Sequence, residues 1–289
     1  MPPLKKGRCL AAACNRRHGS ARCIWHFVHA RGALQGKQVE KSEEELTQSV
    51  GLCMIRTEEK KMQCIWMGQA GLLFDFDGTK VMIDPYLSDC VAKVNPANRR
   101  RVPVEEKFFD IRPDVLILTH DHLDHTDPET LERILGTHKD ILVLASKNAW
   151  NHARSFGNGH NYVMFDAGTR WTFKDVTFRA VRAQHSDDSA VGVVIGWNEK
   201  HYYVAGDTLW HDRVIQEVNA LGLRIDAAFV PVNGVGNNMN MADAADFAQA
   251  VGALKTVPVH FGLFDSLDPA ADFDAANKII PTIYKEIRL

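Results

Sequence analysis

The segment Thr119-His120-Asp121-His122-Leu123-Asp124-His125 gathers three imidazoles and two carboxylates within six positions. With 13 His and 36 Asp and Glu in 289 residues, His-x-His-x-(Asp/Glu)-His should arise by chance in roughly three chains per thousand. A solvated His-rich loop is therefore a poor account of it. Neutral imidazole nitrogen is a good donor to zinc and other first-row divalent ions, and carboxylate is a harder companion ligand. A loop leaving a rigid strand can point alternate side chains, His120 and His122, into one site. It can then bend to aim Asp124 and His125 at a neighbouring one. Six residues cannot complete two metal sites, so further ligands are expected where later strands end. His185, Asp207 (in Ala-Gly-Asp-Thr) and His260 (in Val-Pro-Val-His-Phe-Gly) hold such positions.

The elements that must position these residues can be read from apolar periodicity. Val115-Leu116-Ile117-Leu118, directly before the cluster, is a continuous apolar run, as in a strand buried on both faces. Upstream, Cys64–Met67, Leu72–Phe76 and Lys80–Ile83 are separated by Gly-containing turns and predict an antiparallel meander ended by Asp84-Pro85. Asp127-Pro128-Glu129 predicts a helix start, with Asp127 as N-cap. Ile141–Leu144 reads as strand and Lys147–Phe156 as helix. A strand-rich block follows at Tyr162–Phe165, Trp171–Phe173, Val176–Ala183, Val191–Ile195 and His201–Ala205. Helices at Trp210–Leu221, Met241–Val251 and Ala270–Ile279 then alternate with strands at Ala227–Pro231, Thr256–Val259 and Tyr284–Ile287. The expected architecture is α/β: two mixed β-sheets face to face with helices outside, spanning 62–289 without an internal linker.

In this order, His120-x-His122-x-Asp124-His125, His185, Asp207 and His260 resemble the metallo-β-lactamase superfamily, whose αββα sandwich matches the two halves. The resemblance covers residues 62–289. It implies that His120, His122 and His185 hold one divalent metal ion, that Asp124, His125 and His260 hold a second, and that Asp207 bridges them. Zinc or manganese suits the donor set. Met62–Gly71 with Asp84-Pro85, Gly206-Asp207-Thr208, Asn238-Met239-Asn240 and Pro258-Val259-His260-Phe261 are similar to the L-ascorbate-6-phosphate lactonase-like branch.

The implied function is metal-dependent hydrolysis of a lactone or related ester, with or without a phosphate on the substrate. A divalent ion lowers the pKa of bound water from 15.7 to about 7, so hydroxide is available at neutral pH. Asp124 would orient the water and accept its proton. Two alternatives are a phosphodiesterase or phospholipase D-like hydrolase, and a metal-binding protein without turnover. Antibiotic hydrolysis is not expected, because β-lactamases of the superfamily carry Cys where Asp207 stands. Only 53 positions separate Asp207 from His260, too few for the extra domain of the nuclease relatives. Candidate substrate contacts are Trp210 and His211, shortly after Asp207, and Asn238 and Asn240 before the next helix. Arg99-Arg100-Arg101 is a candidate phosphate contact at the rim.

Composition narrows the remaining classes. Apolar residues make up 45% and charged residues 24%, an ordinary globular mixture that excludes a disordered chain or a rod. No apolar run approaches the roughly 18 residues of a membrane span. The net charge is −2, but residues 1–39 hold eight Lys and Arg and no acid. The other 250 residues hold 26 basic and 36 acidic groups, which argues against nucleic acid as partner. A small-molecule substrate is the expected partner, and a homo-oligomer is left open. Six Cys with no CxxC pair fit a reduced, cytoplasmic chain. Residues 1–61 lack a clear period and read as a disordered tail or an upstream extension, with Met54 or Met62 the natural start. Organelle targeting by residues 1–39 is the third reading; the stretch is Arg-rich and acid-free but poor in Ser.

Overall fold

The computed structural model describes residues 61–289, so the expected extension over residues 1–61 lies, but for Lys61, outside the described residues. The first sheet contains β1 (Met62–Gly68), β2 (Gly71–Phe76), β3 (Thr79–Ile83), β4 (Val115–Leu118), β5 (Leu142–Ala145) and β6 (Asn161–Met164), in that spatial order. Its first three strands form the expected antiparallel meander, and β3 to β6 run parallel. The second sheet has the order β12-β11-β10-β9-β8-β7. Its strands are β7 (Arg170–Phe173), β8 (Val176–Arg182), β9 (Val191–Trp197), β10 (Lys200–Val204), β11 (Ala227–Pro231) and β12 (Thr256–Val259). Strands β7 to β10 are antiparallel, and β10 to β12 parallel.

Side-chain alternation along β4 shows how the layers are built. Val115 and Ile117 join the core between the sheets, with Phe74, Phe178 and Tyr202. Leu116 and Leu118 face the other way, onto Leu131, Ile134 and Leu135. Period-2 alternation buries such a strand on both faces, and this accounts for the unbroken apolar run. The covering helices on that side are α2 (Pro128–Thr137) and α3 (Lys147–Ala153). A short α1 (Cys90–Val94) precedes them. The predicted N-cap is present: Asp127 accepts from the Glu129 amide at 3.0 Å. Over the second sheet, α4 (Asp212–Ala220) buries Val214 and Val218, and α5 (Met241–Ala250) buries Ala244 and Phe247. The result is the αββα sandwich.

Two expectations near the C-terminus are corrected. The helix predicted over Ala270–Ile279 is only α6 (Pro269–Asp272). Beyond it the backbone lies along the edge of β12. The Ile279 amide donates to the Thr256 carbonyl at 2.8 Å, and the Thr256 amide to that of Asn277 at 3.3 Å. The predicted strand Tyr284–Ile287 is reduced to an isolated bridge, Ile65 to Glu286, against the outer edge of β1. In both places, free edge groups of a sheet captured a segment whose apolar residues suggested an element of its own. No helix among the described residues is long and apolar enough to cross a membrane.

Candidate metal centre

The C-terminal ends of β3, β4, β8, β10 and β12 lie at one edge of the sandwich, and the loops leaving them carry the candidate ligands. After β4 the chain turns tightly. The His125 and Thr126 amides donate to the His122 carbonyl at 3.0 and 2.7 Å, and Thr126 Oγ1 donates to the His120 carbonyl at 2.7 Å. This turn sends His120 and His122 to one side and Asp124 and His125 to the other. Asp121 faces away, with Oδ1 2.8 Å from His152 Nδ1, while its amide donates to Asp187 Oδ2 at 2.9 Å.

His122 Nδ1 lies 3.0 Å from His120 Nε2 and 3.1 Å from His185 Nε2. Nitrogens tetrahedrally bound to one zinc at about 2.0–2.1 Å would lie about 3.4 Å apart, close to this spacing. On the other side, His260 Nε2 is 3.2 Å from Asp124 Oδ2 and 3.3 Å from Asp207 Oδ2. His125 Nε2 is 3.3 Å from Asp207 Oδ1 and 3.9 Å from Asp124 Oδ2. Asp207 stands between the halves, its Oδ2 also 3.9 Å from His185 Nε2. All seven residues fall into three overlapping groups whose donor atoms lie within 4.8 Å of one another. His125 Nε2 and Asp207 Oδ1 are buried and make no aligned hydrogen bond despite their proximity. Buried polar atoms are normally satisfied, so an unpaired nitrogen facing an unpaired carboxylate oxygen fits a cation between them.

The electrostatics divide the same way. Burial, then the neighbouring His125, pushes His120 well below the usual imidazole range, and burial lowers His185. For His260, burial opposes charging, but Asp207 and Asp124 outweigh it and push the imidazole up to about 10. His125 is likewise raised against its burial by Asp207, Asp124 and Asp84. Burial also works against ionising Asp124 and Asp207, yet His125 and His260 hold both carboxyls below the usual carboxylate range.

Several supporting residues were not legible as functional from sequence. Asp84, fully buried at the end of β3, accepts from the Thr119 amide at 2.8 Å and Thr119 Oγ1 at 2.6 Å, and its Oδ2 lies 2.8 Å from His125 Nδ1. Thr119 Oγ1 in turn lies 3.1 Å from His120 Nδ1. One carboxylate thus orients a histidine on each side of the centre. Gln69, in the β1–β2 turn at φ +48°, donates through Nε2 to Asp124 Oδ2 at 3.1 Å. Asp-Pro reads as a strand terminator and Gly-Gln as a turn, so neither residue stood out.

A cavity of about 390 Å³ opens beside the cluster; His122, Asp124, Asp207, His260 and Asn238 are among its lining. Asn238 is buried, and its Nδ2 donates to Asp207 Oδ2 at 2.8 Å. Trp210, His211 and Asn240 are not part of that lining. Trp210 packs edge-on against Phe247 at 6.2 Å. His211 caps α4, accepting from the Arg213 amide at 3.1 Å, and Asn240 caps α5, accepting from the Asp243 amide at 2.9 Å. Arg100 of the basic run donates to the Tyr86 carbonyl and to Tyr284 Oη, each at 2.7 Å.

Comparison with known proteins agrees with this geometry. Residues 79–261 match the beta-lactamase superfamily domain. A UPF0173 metal-dependent hydrolase of Exiguobacterium sp. is 31% identical over 214 residues, covering 70% of this chain and 87% of that protein. The chain belongs to the UPF0173 metal-dependent hydrolases of the metallo-β-lactamase superfamily. The N-acyl-phosphatidylethanolamine-hydrolyzing phospholipase D 1 of Caenorhabditis elegans is 25% identical, over 71% of this chain and 65% of its own length. Among solved structures, the metallo hydrolase Igni18 of Ignicoccus hospitalis superposes with a TM-score of 0.60. It is 18% identical, covering 78% of this chain and 97% of its own, a likeness of fold.

Proposed function

We propose that this UPF0173 protein hydrolyses a lactone or related ester with two divalent ions, zinc or manganese. His120, His122 and His185 would hold the first, Asp124, His125 and His260 the second, and Asp207 would contribute to both. The observation that carries this reading is the convergence of the seven donor groups beside an open cavity. When bound, such ions supply Lewis acidity, which lowers the pKa of water and polarises a substrate oxygen.

The chain's own residues do the rest. Asp124 Oδ2 is engaged by Gln69 Nε2 and His260 Nε2, so we assign Oδ1 to orient the attacking water and take its proton. As an ionised carboxylate, Asp124 can accept a hydrogen bond from that water. Asn238 fixes the orientation of Asp207 from the cavity side. Asp84 and Thr119 fix His125 and His120 from beneath. Preorganisation of this kind is what separates a working centre from a loose cluster of ligands.

The test is turnover on a panel of lactones and carboxylic esters beside a panel of phosphodiesters, using metal-loaded wild type and the His120→Ala/His122→Ala double variant. Hydrolysis of lactones or esters by the wild type, lost to background in the variant, is expected. Preferential cleavage of phosphodiesters would favour the phospholipase D-like activity named for the nematode relative. Undiminished turnover in the double variant would end the proposal.

A further inference from the structure

We propose that the cavity beside the ligand cluster receives an uncharged, apolar substituent of the substrate. This rests on the hydrolase reading above and deepens it: the substrate class becomes esters or lactones carrying a hydrocarbon chain, without a distal phosphate.

Two observations carry the inference. First, the cavity has apolar flanks. Val91 of α1 and Phe264, in the loop after β12, both line it and pack against the small cluster of Tyr86, Cys90 and Leu263. Phe264 is held edge-on to Tyr86 at 5.6 Å. Val235 lines the cavity from the loop between β11 and α5 and is 65% exposed. That loop has a defined course. Gly234, Gly236 and Asn237 all take positive φ, and the Gly234 amide donates to the Met239 carbonyl at 3.0 Å. The Met239 amide donates in turn to the Thr208 carbonyl, next to Asp207. A single exposed valine is ordinary. A valine presented on an anchored loop at the rim of a cavity that also carries Val91 and Phe264 is a hydrophobic contact awaiting a partner.

The second observation is charge. Among the described residues that line the cavity none is Lys or Arg, whereas Asp124, Asp207 and Asp265 are all present. The basic run Arg99–Arg101 lines a separate cavity, with Ser88 and Asp89. Its Arg100 guanidinium is committed to the Tyr86 carbonyl, Tyr284 Oη and the Val102 carbonyl. A phosphate remote from the scissile bond would meet carboxylates and Asn side chains but no Lys or Arg, whereas a hydrocarbon chain meets Val91, Phe264 and Val235. Burial of a methylene is favourable by an amount equivalent to roughly fourfold in affinity when complete.

The test measures binding of linear carboxylates, acetate to octanoate, to the zinc-loaded protein by calorimetry. Affinity is expected to rise about two- to fourfold per methylene until the chain outgrows the cavity. Suberate, which adds a negative distal charge, should bind at least about tenfold more weakly than octanoate. Val235→Asp, at an exposed position, and Phe264→Ala should both flatten the chain-length series. A flat series in wild type, suberate equal to octanoate, or a full slope in Val235→Asp would overturn the proposal. Turnover plays no part in these measurements. Failure of the hydrolase reading would instead appear as a steep carboxylate series with no hydrolysis in either panel.

Discussion

His120, His122 and His185 form a cluster of imidazoles, whereas Asp124, His125 and His260 beside them mix a carboxylate with two histidines. The two regions share Asp207 and are buried by the same loops, yet without a cation they balance charge in opposite ways. In the mixed region protons stand in for metal: His125 and His260 are raised, Asp124 and Asp207 lowered, and ion pairs neutralise the burial. In the imidazole region Asp207 also favours charge, but burial outweighs it and lowers His120 and His185. Its nitrogens face one another at 3.0 and 3.1 Å, close to the spacing expected of nitrogens bound to one ion. The imidazole region thus has the spacing of a cation site, while the mixed region can be balanced by a cation or by protons.

The largest expected effect is that of Asp207→Ala, which should erase the distinction by disabling both regions. Metal bound per chain should fall to background at micromolar zinc, and turnover with it. Retention of metal by either half would show that Asp207 is not shared.

Asp84→Asn should discriminate between them. It removes a buried charge that contacts His125 directly and reaches His120 only through Thr119. Loss of such a supporting carboxylate typically weakens metal affinity about 10- to 100-fold, and the second region should suffer more. Breaking a buried pair can also cost about 3–5 kcal/mol of stability, to be measured by denaturant unfolding of the metal-free protein. Equal loss at both regions would contradict the asymmetry.

The pH dependence of metal-free stability sharpens the comparison further. His260 has a folded pKa of about 10, above the ordinary 6.5. Its contribution is present below about pH 6.5 and lost as pH rises through about 10. His120 and His185 are shifted the other way, so their contribution is present above about pH 6.5 and lost on acidification. The melting temperature of the metal-free protein should peak near pH 6.5, and His260→Gln should lessen the loss on its alkaline side, the remainder coming from His125, and leave the acid side unchanged. Loaded metal should replace the protons and remove most of the alkaline loss.

The smallest effect is expected of Trp210→Ala. The indole packs on Phe247 outside the cavity lining, so KM should change by less than about twofold while stability falls by about 1 kcal/mol. A tenfold rise in KM would place Trp210 in substrate binding.

Much of this was legible in sequence for a physical reason. Four apolar residues followed, after Thr119, by His-x-His report a strand buried on both faces that ends at a polar site, a combination rarely produced by packing alone. Asp84 and Gln69 carried no such signal, since a carboxylate before proline and an amide after glycine serve ordinary turns. Their roles come from Ile83 and Gly68 ending beside β4 and β12, which is tertiary information. The C-terminal segment misled for the converse reason: Ala270 to Ile279 has helical composition, but the open edge of β12 offered its backbone better partners.

The most direct test is anomalous diffraction from crystals of the zinc-loaded protein, recorded on both sides of the zinc absorption edge. Two peaks are expected inside the seven-residue cluster, one bounded by His120, His122 and His185, the other by Asp124, His125 and His260, with Asp207 touching both. Peaks elsewhere on the molecule, or none at all with zinc in excess, would contradict this assignment.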